Sequence, residues 1–208
     1  SAIFWDIDNS ITQGSFNELL KWEDKIFKEF QWVSYDRYKK GRVDFLKTIE
    51  GNDNIIDLIE YVENRVIKVG VYAGSFNPFH IGHYDIVKKG MKLFDKVIVA
   101  YGNNPDKKIS DREYPSCLEY IETMEYDTLI TDLLDEVASY GCDVTLMRGI
   151  RSGADLSYES NQLSFIEDIR PNTSVIMIPS DKKFEHISSS AIRNLQKFDK
   201  ESANKYLV

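Results

Sequence analysis

Cysteine is nearly missing from this chain: Cys117 and Cys142 are the only two in 208 residues. They form no Cys-x-x-Cys pair and no zinc-ligand spacing, which argues against a disulfide framework and a zinc module. Such scarcity fits a reduced, cytoplasmic setting. Long apolar runs are also missing. None approaches the roughly 20 residues of a membrane span, so no membrane partner is expected. No secretory leader is legible at a start that reads Ser1-Ala2. Excess positive charge is lacking too, with 26 Lys and Arg against 34 Asp and Glu, a net charge of -8. Duplex nucleic acid wants a basic face, so no nucleic-acid partner is expected. A phosphorylated small molecule is not excluded, because a pocket needs only local positive charge. Finally, neither G-x-x-x-x-G-K-[ST] nor G-x-G-x-x-G occurs, which removes the P-loop and dinucleotide fingerprints.

What is present is an ordinary globular mixture, 42% hydrophobic and 29% charged. Its character changes near residue 66. From Val66 onward, strand and helix patterns alternate. Strands are expected at 66–72, ending at Ala73-Gly74, at 96–101, at 144–147 and at 174–178, with a weaker one at 128–131. Helices are expected over 81–94, about 112–125, 132–140 with Gly141 as the stop, 155–169, 188–197 and 200–207. This alternation implies βαβ crossovers and a Rossmann-like α/β domain with a parallel sheet over 66–208. Ligands of such sheets sit at the carboxyl ends of the strands.

Residues 1–65 read as a mainly helical extension. They hold all three tryptophans, Trp5, Trp22 and Trp32, and no proline. A short strand is expected at 2–7. Helical stripes follow, with Leu19, Leu20, Ile26, Phe27 and Phe30 in one, and Ile55, Ile56, Leu58, Ile59 and Val62 in another. No internal repeat or low-complexity tract appears.

Four segments fall where the sheet rule points. After the first strand of the α/β part comes Gly74-Ser75-Phe76-Asn77-Pro78-Phe79-His80-Ile81-Gly82-His83. Gly74 permits a tight turn close to a ligand. The helix that follows is expected to offer free N–H groups and its positive end to an anion. His80 and His83, two of three histidines in the chain, share one face of its first turn. The alternative is that both are capping or surface residues. After the second strand comes Asn103-Asn104-Pro105-Asp106-Lys107-Lys108, which can hold a phosphate as point charges or be a solvated turn. After 144–147 comes Arg148-Gly149-Ile150-Arg151, whose two guanidinium groups can bind phosphate bidentately. Alternatively they pair with Asp155 and Glu159 as structural salt bridges. Last comes His186-Ile187-Ser188-Ser189-Ser190-Ala191-Ile192-Arg193, whose serines are either helix caps or phosphate ligands.

The His-x-Gly-His pattern in a strand-loop-helix context resembles the H-x-G-H nucleotidyltransferase superfamily. The four motifs in this order resemble the phosphopantetheine adenylyltransferase family, over about Lys68 to Val208. The resemblance implies AMP transfer from ATP to 4'-phosphopantetheine, giving dephospho-coenzyme A and pyrophosphate, with magnesium carried by ATP. It implies catalytic roles for His83, Lys107 and Arg151. It places the nucleotide at Gly74, Ser75, Phe76, His80, His83, Arg148, Gly149, Arg151, Glu159 and Ser188 to Ser190. It places the acceptor at Ser75, Lys107, Leu133, Leu134 and Arg148. It also implies a homo-oligomer.

The chain departs from the family at Asn77, usually Asp, at His80, commonly Thr, and at Ile166-Glu167, where the family has Asn-Arg. Nicotinamide mononucleotide, or another phosphorylated acceptor, is therefore an alternative substrate, and a non-catalytic nucleotide-binding module is a second alternative. Residues 4–10, Phe-Trp-Asp-Ile-Asp-Asn-Ser, look like the Asp-x-Asp nucleophile motif of haloacid-dehalogenase phosphatases, with Asp6 and Asp8 as its carboxylates. The completing lysine and second acidic motif are not evident in the sequence.

Overall fold

Val69, Val71, Tyr72 and Ala73 make a nearly continuous apolar run, the composition of a strand covered on both faces. In the computed structural model, which describes residues 13–103 and 114–208, this run is β1 (Lys68–Gly74). It lies at the centre of a five-stranded sheet of order β3-β2-β1-β4-β5. The other strands are β2 (Lys96–Gly102), β3 (Glu122–Tyr126), β4 (Asp143–Ile150) and β5 (Ser174–Pro179). All pairings are parallel, with Val71 opposite Ile98 on one side and Leu146 on the other. The connecting helices are α4 (Ile81–Gly90), α5 (Ile130–Ser139) and α6 (Gly153–Ile169), followed after β5 by α7 (Ser189–Gln196) and α8 (Lys200–Asn204). The chain runs from β1 outward to β2 and β3, then returns to β4 on the other side of β1. That reversal puts a crevice at the carboxyl ends of β1 and β4.

The contacts divide the chain into two compact units, Ser1–Val66 and Ile67–Val208. The first contains α1 (Phe16–Glu29), α2 (Tyr35–Leu46) and α3 (Asn54–Asn64). Its core is Leu19, Trp22, Val43, Leu46, Ile55, Leu58 and Val62. The stripe on α1 also takes in Glu23, which is fully buried. Glu23 survives there because Arg42 Nη2 lies 2.8 Å from its Oε2 and the Tyr38 hydroxyl donates to its Oε1 at 2.5 Å. The Arg42 guanidinium in turn sits over the rings of Trp22 and Phe45. Ile56, expected in the stripe of α3, faces solvent instead. The strand expected at 2–7 and the Asp6-x-Asp8 motif lie outside the described residues.

Three expectations in the α/β unit need correction. The helix over 81–94 stops at Gly90, and residues 91–94 form turns closed by Leu93 and Phe94 amides on the Gly90 carbonyl. The turn brings Phe94 over Gly70, where a Cβ would come within 2.6 Å of its ring. The helix expected to end near 125 is, in its described part, a short 3-10 turn at Ser116–Leu118 and then strand β3. The strand expected at 128–131 is instead the entry to α5. The physical reason is the position of β3 at the sheet's edge. Among the described residues only β2 pairs with it, so Glu-Thr-Met-Glu-Tyr needs no continuous apolar run, and pairing decides the conformation. Its first residue is held by charge. Lys96 Nζ, nearly inaccessible at the start of β2, lies 2.9 Å from Glu122 Oε2.

That pair yields a stability test. Removing one partner of a buried ion pair strands the other charge, so Lys96→Met should cost about 3–5 kcal/mol in denaturant unfolding. Lys96→Met combined with Glu122→Leu should recover most of that loss. A double variant as unstable as the single one would show that the charge is not what holds β3.

Candidate functional site

The residues after β1 build the first wall of the crevice. Gly74 ends the strand, and Phe76 follows with a positive φ of 41° that turns the chain back toward α4. His80 is the N-cap of α4. Its Nδ1 accepts from the amides of Gly82 (3.1 Å) and His83 (3.3 Å). The His83 Nδ1 accepts in return from the His80 amide at 3.3 Å. Two imidazoles thus make a reciprocal capping box of the kind a hydroxyl and a carboxylate usually form. Their rings stack with centroids 3.5 Å apart and planes 19° from parallel.

The expected free amides at this helix start are not found. The Ile81 amide donates to the Tyr206 carbonyl at 3.0 Å, and those of Gly82 and His83 are taken by His80. The capping reading and the ligand reading therefore join: capping occupies Nδ1 of each ring, and Nε2–H is what each can offer the cleft. Burial keeps both rings neutral. The rings of Phe76 (4.9 Å), Phe79 (5.3 Å) and Tyr72 (6.3 Å) surround His83. Desolvation, then His80 and Arg151 nearby, push the His83 pKa well below its ordinary value. Desolvation and Arg151 push that of His80 down to about 4.

The end of β4 supplies the opposite wall. Arg148 Nη1 donates to the Ala73 carbonyl at 3.1 Å, and its Nε lies 3.1 Å from Glu159 Oε2 on α6. A Cβ on Gly149 would come within 2.9 Å of Ile86 Cγ1, so glycine is what allows α4 to approach this strand. Arg151 grips Asp155 through Nε (3.1 Å) and Nη2 (3.3 Å), and its Nη1 donates to the Ile187 carbonyl at 3.0 Å. Asp155 is held below the usual carboxylate range, its burial outweighed by hydrogen bonds from the Arg151 side chain and amide. The salt-bridge reading of these arginines is therefore correct as far as it goes. Both also line the cleft.

The third wall is the start of α7. Ser188 caps it, its hydroxyl accepting from the Ala191 amide at 3.1 Å and lying 3.1 Å from the Ser190 hydroxyl. Ser189 donates to the Pro78 carbonyl at 3.0 Å, tying α7 to the histidine loop. Arg193 does the same from further along the helix, donating to the Asn77 carbonyl.

The cleft between these walls holds about 450 Å³, within the usual range for small-molecule sites. Gly74, Ser75, Phe76, His80, His83, Arg148, Gly149, Arg151, Glu159 and Ser188 to Ser190 all line it. Leu133 and Leu134, expected at the acceptor site, do not. They are fully buried on the inner face of α5, because an amphipathic helix on a sheet turns its apolar stripe inward. Lys107 lies outside the described residues. The site expectations left out Asn77, Ser180 and Arg193, which also line the cleft. Arg193 had a legible signal, a cation three residues after Ser190 on the same helix. Ser180 had none beyond its place directly after β5.

Comparison with known proteins gives concordant findings. A family model described as cytidylyltransferase-like matches residues 71–195. The chain is 35% identical to a phosphopantetheine adenylyltransferase of Clostridium beijerinckii, over 64% of this chain and 86% of that one. It is 31% identical to one from Mycoplasma capricolum, over 64% of this chain and all of the relative. A third, from Porphyromonas gingivalis, is 32% identical over 64% and 90%.

The histidine environment predicts a pH dependence. Unfolded histidines take up protons near 6.5, whereas the folded His80 ring resists protonation to about 4 and burial holds the His83 ring well below its ordinary value. The unfolded chain therefore binds more protons between those values, and stability falls as pH drops below about 6.5. Denaturant unfolding at pH 7 and pH 5 should show this loss. It should be smaller in His83→Asn, which removes one of the two rings that resist protonation in the folded chain. An identical loss in the variant would mean that the buried ring is not neutral.

Proposed function

The chain belongs to the cytidylyltransferase-like family, among the phosphopantetheine adenylyltransferases, and from that premise we propose that it transfers AMP from ATP to 4'-phosphopantetheine. The observation that carries this reading is convergence. Two neutral imidazoles, three arginines and a run of serines, drawn from three separate sequence segments, line one cleft at the sheet's switch point.

Such a cleft suits in-line phosphoryl chemistry, which depends on alignment and on donors placed where charge builds up. An oxygen of the acceptor's phosphate attacks the α-phosphorus of ATP. The bond from that phosphorus to the bridging oxygen breaks, and pyrophosphate carries away the electron pair. No covalent enzyme intermediate is needed. In this reading His83 donates Nε2–H to the α-phosphate as charge accumulates, with His80 beside it. Arg151 and the Ser188–Ser190 segment bind the triphosphate, and Glu159 holds Arg148 toward the cleft. Lys107, five positions after Gly102 in the sequence, is assigned to the acceptor phosphate. Among the described residues no three His, Cys, Asp or Glu converge as a metal site. Magnesium would come to the cleft carried by ATP and would offset charge on its phosphates.

A homo-oligomer remains part of the proposal. Tyr158, Phe165 and Ile169 on α6 are each more than half exposed. Among the described residues no helix is long and apolar enough to cross a membrane.

Pyrophosphate release over an acceptor panel tests the reaction. It should proceed with 4'-phosphopantetheine and not with nicotinamide mononucleotide, and ATP binding without release would show a module that binds but does not turn over. His83→Ala should lower kcat by about 10²–10³ while changing ATP affinity far less, because its contact strengthens at the transition state. Equal losses in both would remove it from that role. Arg151→Ala should weaken ATP binding by about 1.5–3 kcal/mol, the scale of a hydrogen bond to a charged group. Unchanged binding, measured by calorimetry, would leave Arg151 a purely structural partner of Asp155.

A further inference from the structure

One cation near the cleft has no part in the reaction as described. Lys89 lies on α4, six residues beyond His83. Its Nζ donates to the Pro179 carbonyl at 2.7 Å and lies 2.7 Å from Asp181 Oδ1 and 2.9 Å from Asp85 Oδ2. Asp85, one helical turn back and nearly buried, accepts the Asp181 amide on the same Oδ2 at 3.2 Å. The contacts to segment 179–181 join residues 90 to 96 positions apart. They bracket Ser180, a cleft residue whose own amide donates to the Ile150 carbonyl at 2.8 Å.

From Asp181 a chain of turns leads into the cleft. The Phe184 amide donates to the Asp181 carbonyl at 2.8 Å, and the Ile187 amide to the Phe184 carbonyl at 3.0 Å. The Ile187 carbonyl is the acceptor of Arg151 Nη1, and Ser188 follows it directly. The end of β5 does not need Lys89 to hold it on the sheet, since Pro179 is already in register with Ile150. What Lys89 adds is a tie from the histidine helix to the first link of this chain of turns.

We propose that Lys89, with Asp85, is a positioning residue for nucleotide binding: it anchors segment 179–181 to the helix that carries His83, and so sets where Arg151 and the Ser188–Ser190 segment meet the triphosphate. The proposal rests on the adenylyl-transfer reading. An exposed Lys–Asp contact alone is worth little. Here the ammonium satisfies a carbonyl and two carboxylates at once, one of them nearly buried, so its loss releases several contacts together.

The test uses the full chain, with ATP as the probe. Steady-state kinetics, direct ATP binding and thermal melting would be measured for Lys89→Met, Lys89→Arg and Asp181→Asn. In Lys89→Met, KM and Kd for ATP should both rise about tenfold, the scale of one charged hydrogen bond, with kcat changed far less. Lys89→Arg, which keeps the cation, should recover most of the affinity, and Asp181→Asn should show a smaller rise in the same direction. Unchanged ATP affinity in Lys89→Met would overturn the proposal. So would losses of affinity and turnover that only follow a falling melting temperature. If Lys89→Met fails to fold, the exposed Asp181→Asn decides alone, and unaltered ATP affinity there overturns the idea. A wild-type chain that binds no ATP would overturn the adenylyl-transfer reading itself, and this proposal with it.

Discussion

The geometry of the site depends on one constraint, the reversal of strand order at β1. Because the chain builds outward through β2 and β3 and then returns to β4, the carboxyl ends of β1 and β4 lie side by side. Loops that leave neighbouring strands toward different helices open a crevice that packing does not fill. Two glycines keep it usable. Gly74 ends β1 where the Phe76 ring stands within about 3 Å of any Cβ, and Gly149 lets Ile86 on α4 come against β4. A side chain at either position would push a wall of the cleft out of place.

Within that crevice the charges are arranged economically for a chain of net charge -8. The arginines are not loose cations. Arg151 is aligned by Asp155 and a carbonyl, Arg148 by Glu159 and another carbonyl. Carboxylates behind a guanidinium reduce its net charge but fix its direction, and less ordering remains to be done when a phosphate arrives. The histidines contribute in another way. Held neutral by burial, they add hydrogen-bond donors without adding charge repulsion to Arg151. A donor aimed in a dry site is worth more than one in water.

The unit Ser1–Val66 has its own core and its own buried network of Glu23, Tyr38 and Arg42. Sequence likeness to the relatives covers about two thirds of this chain but 86% or more of theirs, and the family match begins only at Val71. The helical unit is therefore outside the matched region. Its polar core, satisfied by a salt bridge and by rings over the guanidinium, is the kind of network that favours one packing over its rivals.

The sequence alone was enough for the parallel α/β architecture, because Val69–Ala73, Val97–Ala100 and Val144–Met147 are apolar runs that only buried strands need. It was also enough for most cleft residues, because the motifs follow strands and the carboxyl-edge rule locates them. Tertiary structure decided the rest. β3 is a strand because β2 pairs with it and Lys96 needs Glu122, neither of which shows in a local pattern. Leu133 and Leu134 face the sheet because the phase of α5 is set by packing. The His80–His83 cap, the Arg193 tie to Asn77 and the Lys89 anchor join residues close in space and, for the last two, distant in sequence. Periodicity reports which face of an element is buried, but contacts between elements exist only once the chain has folded.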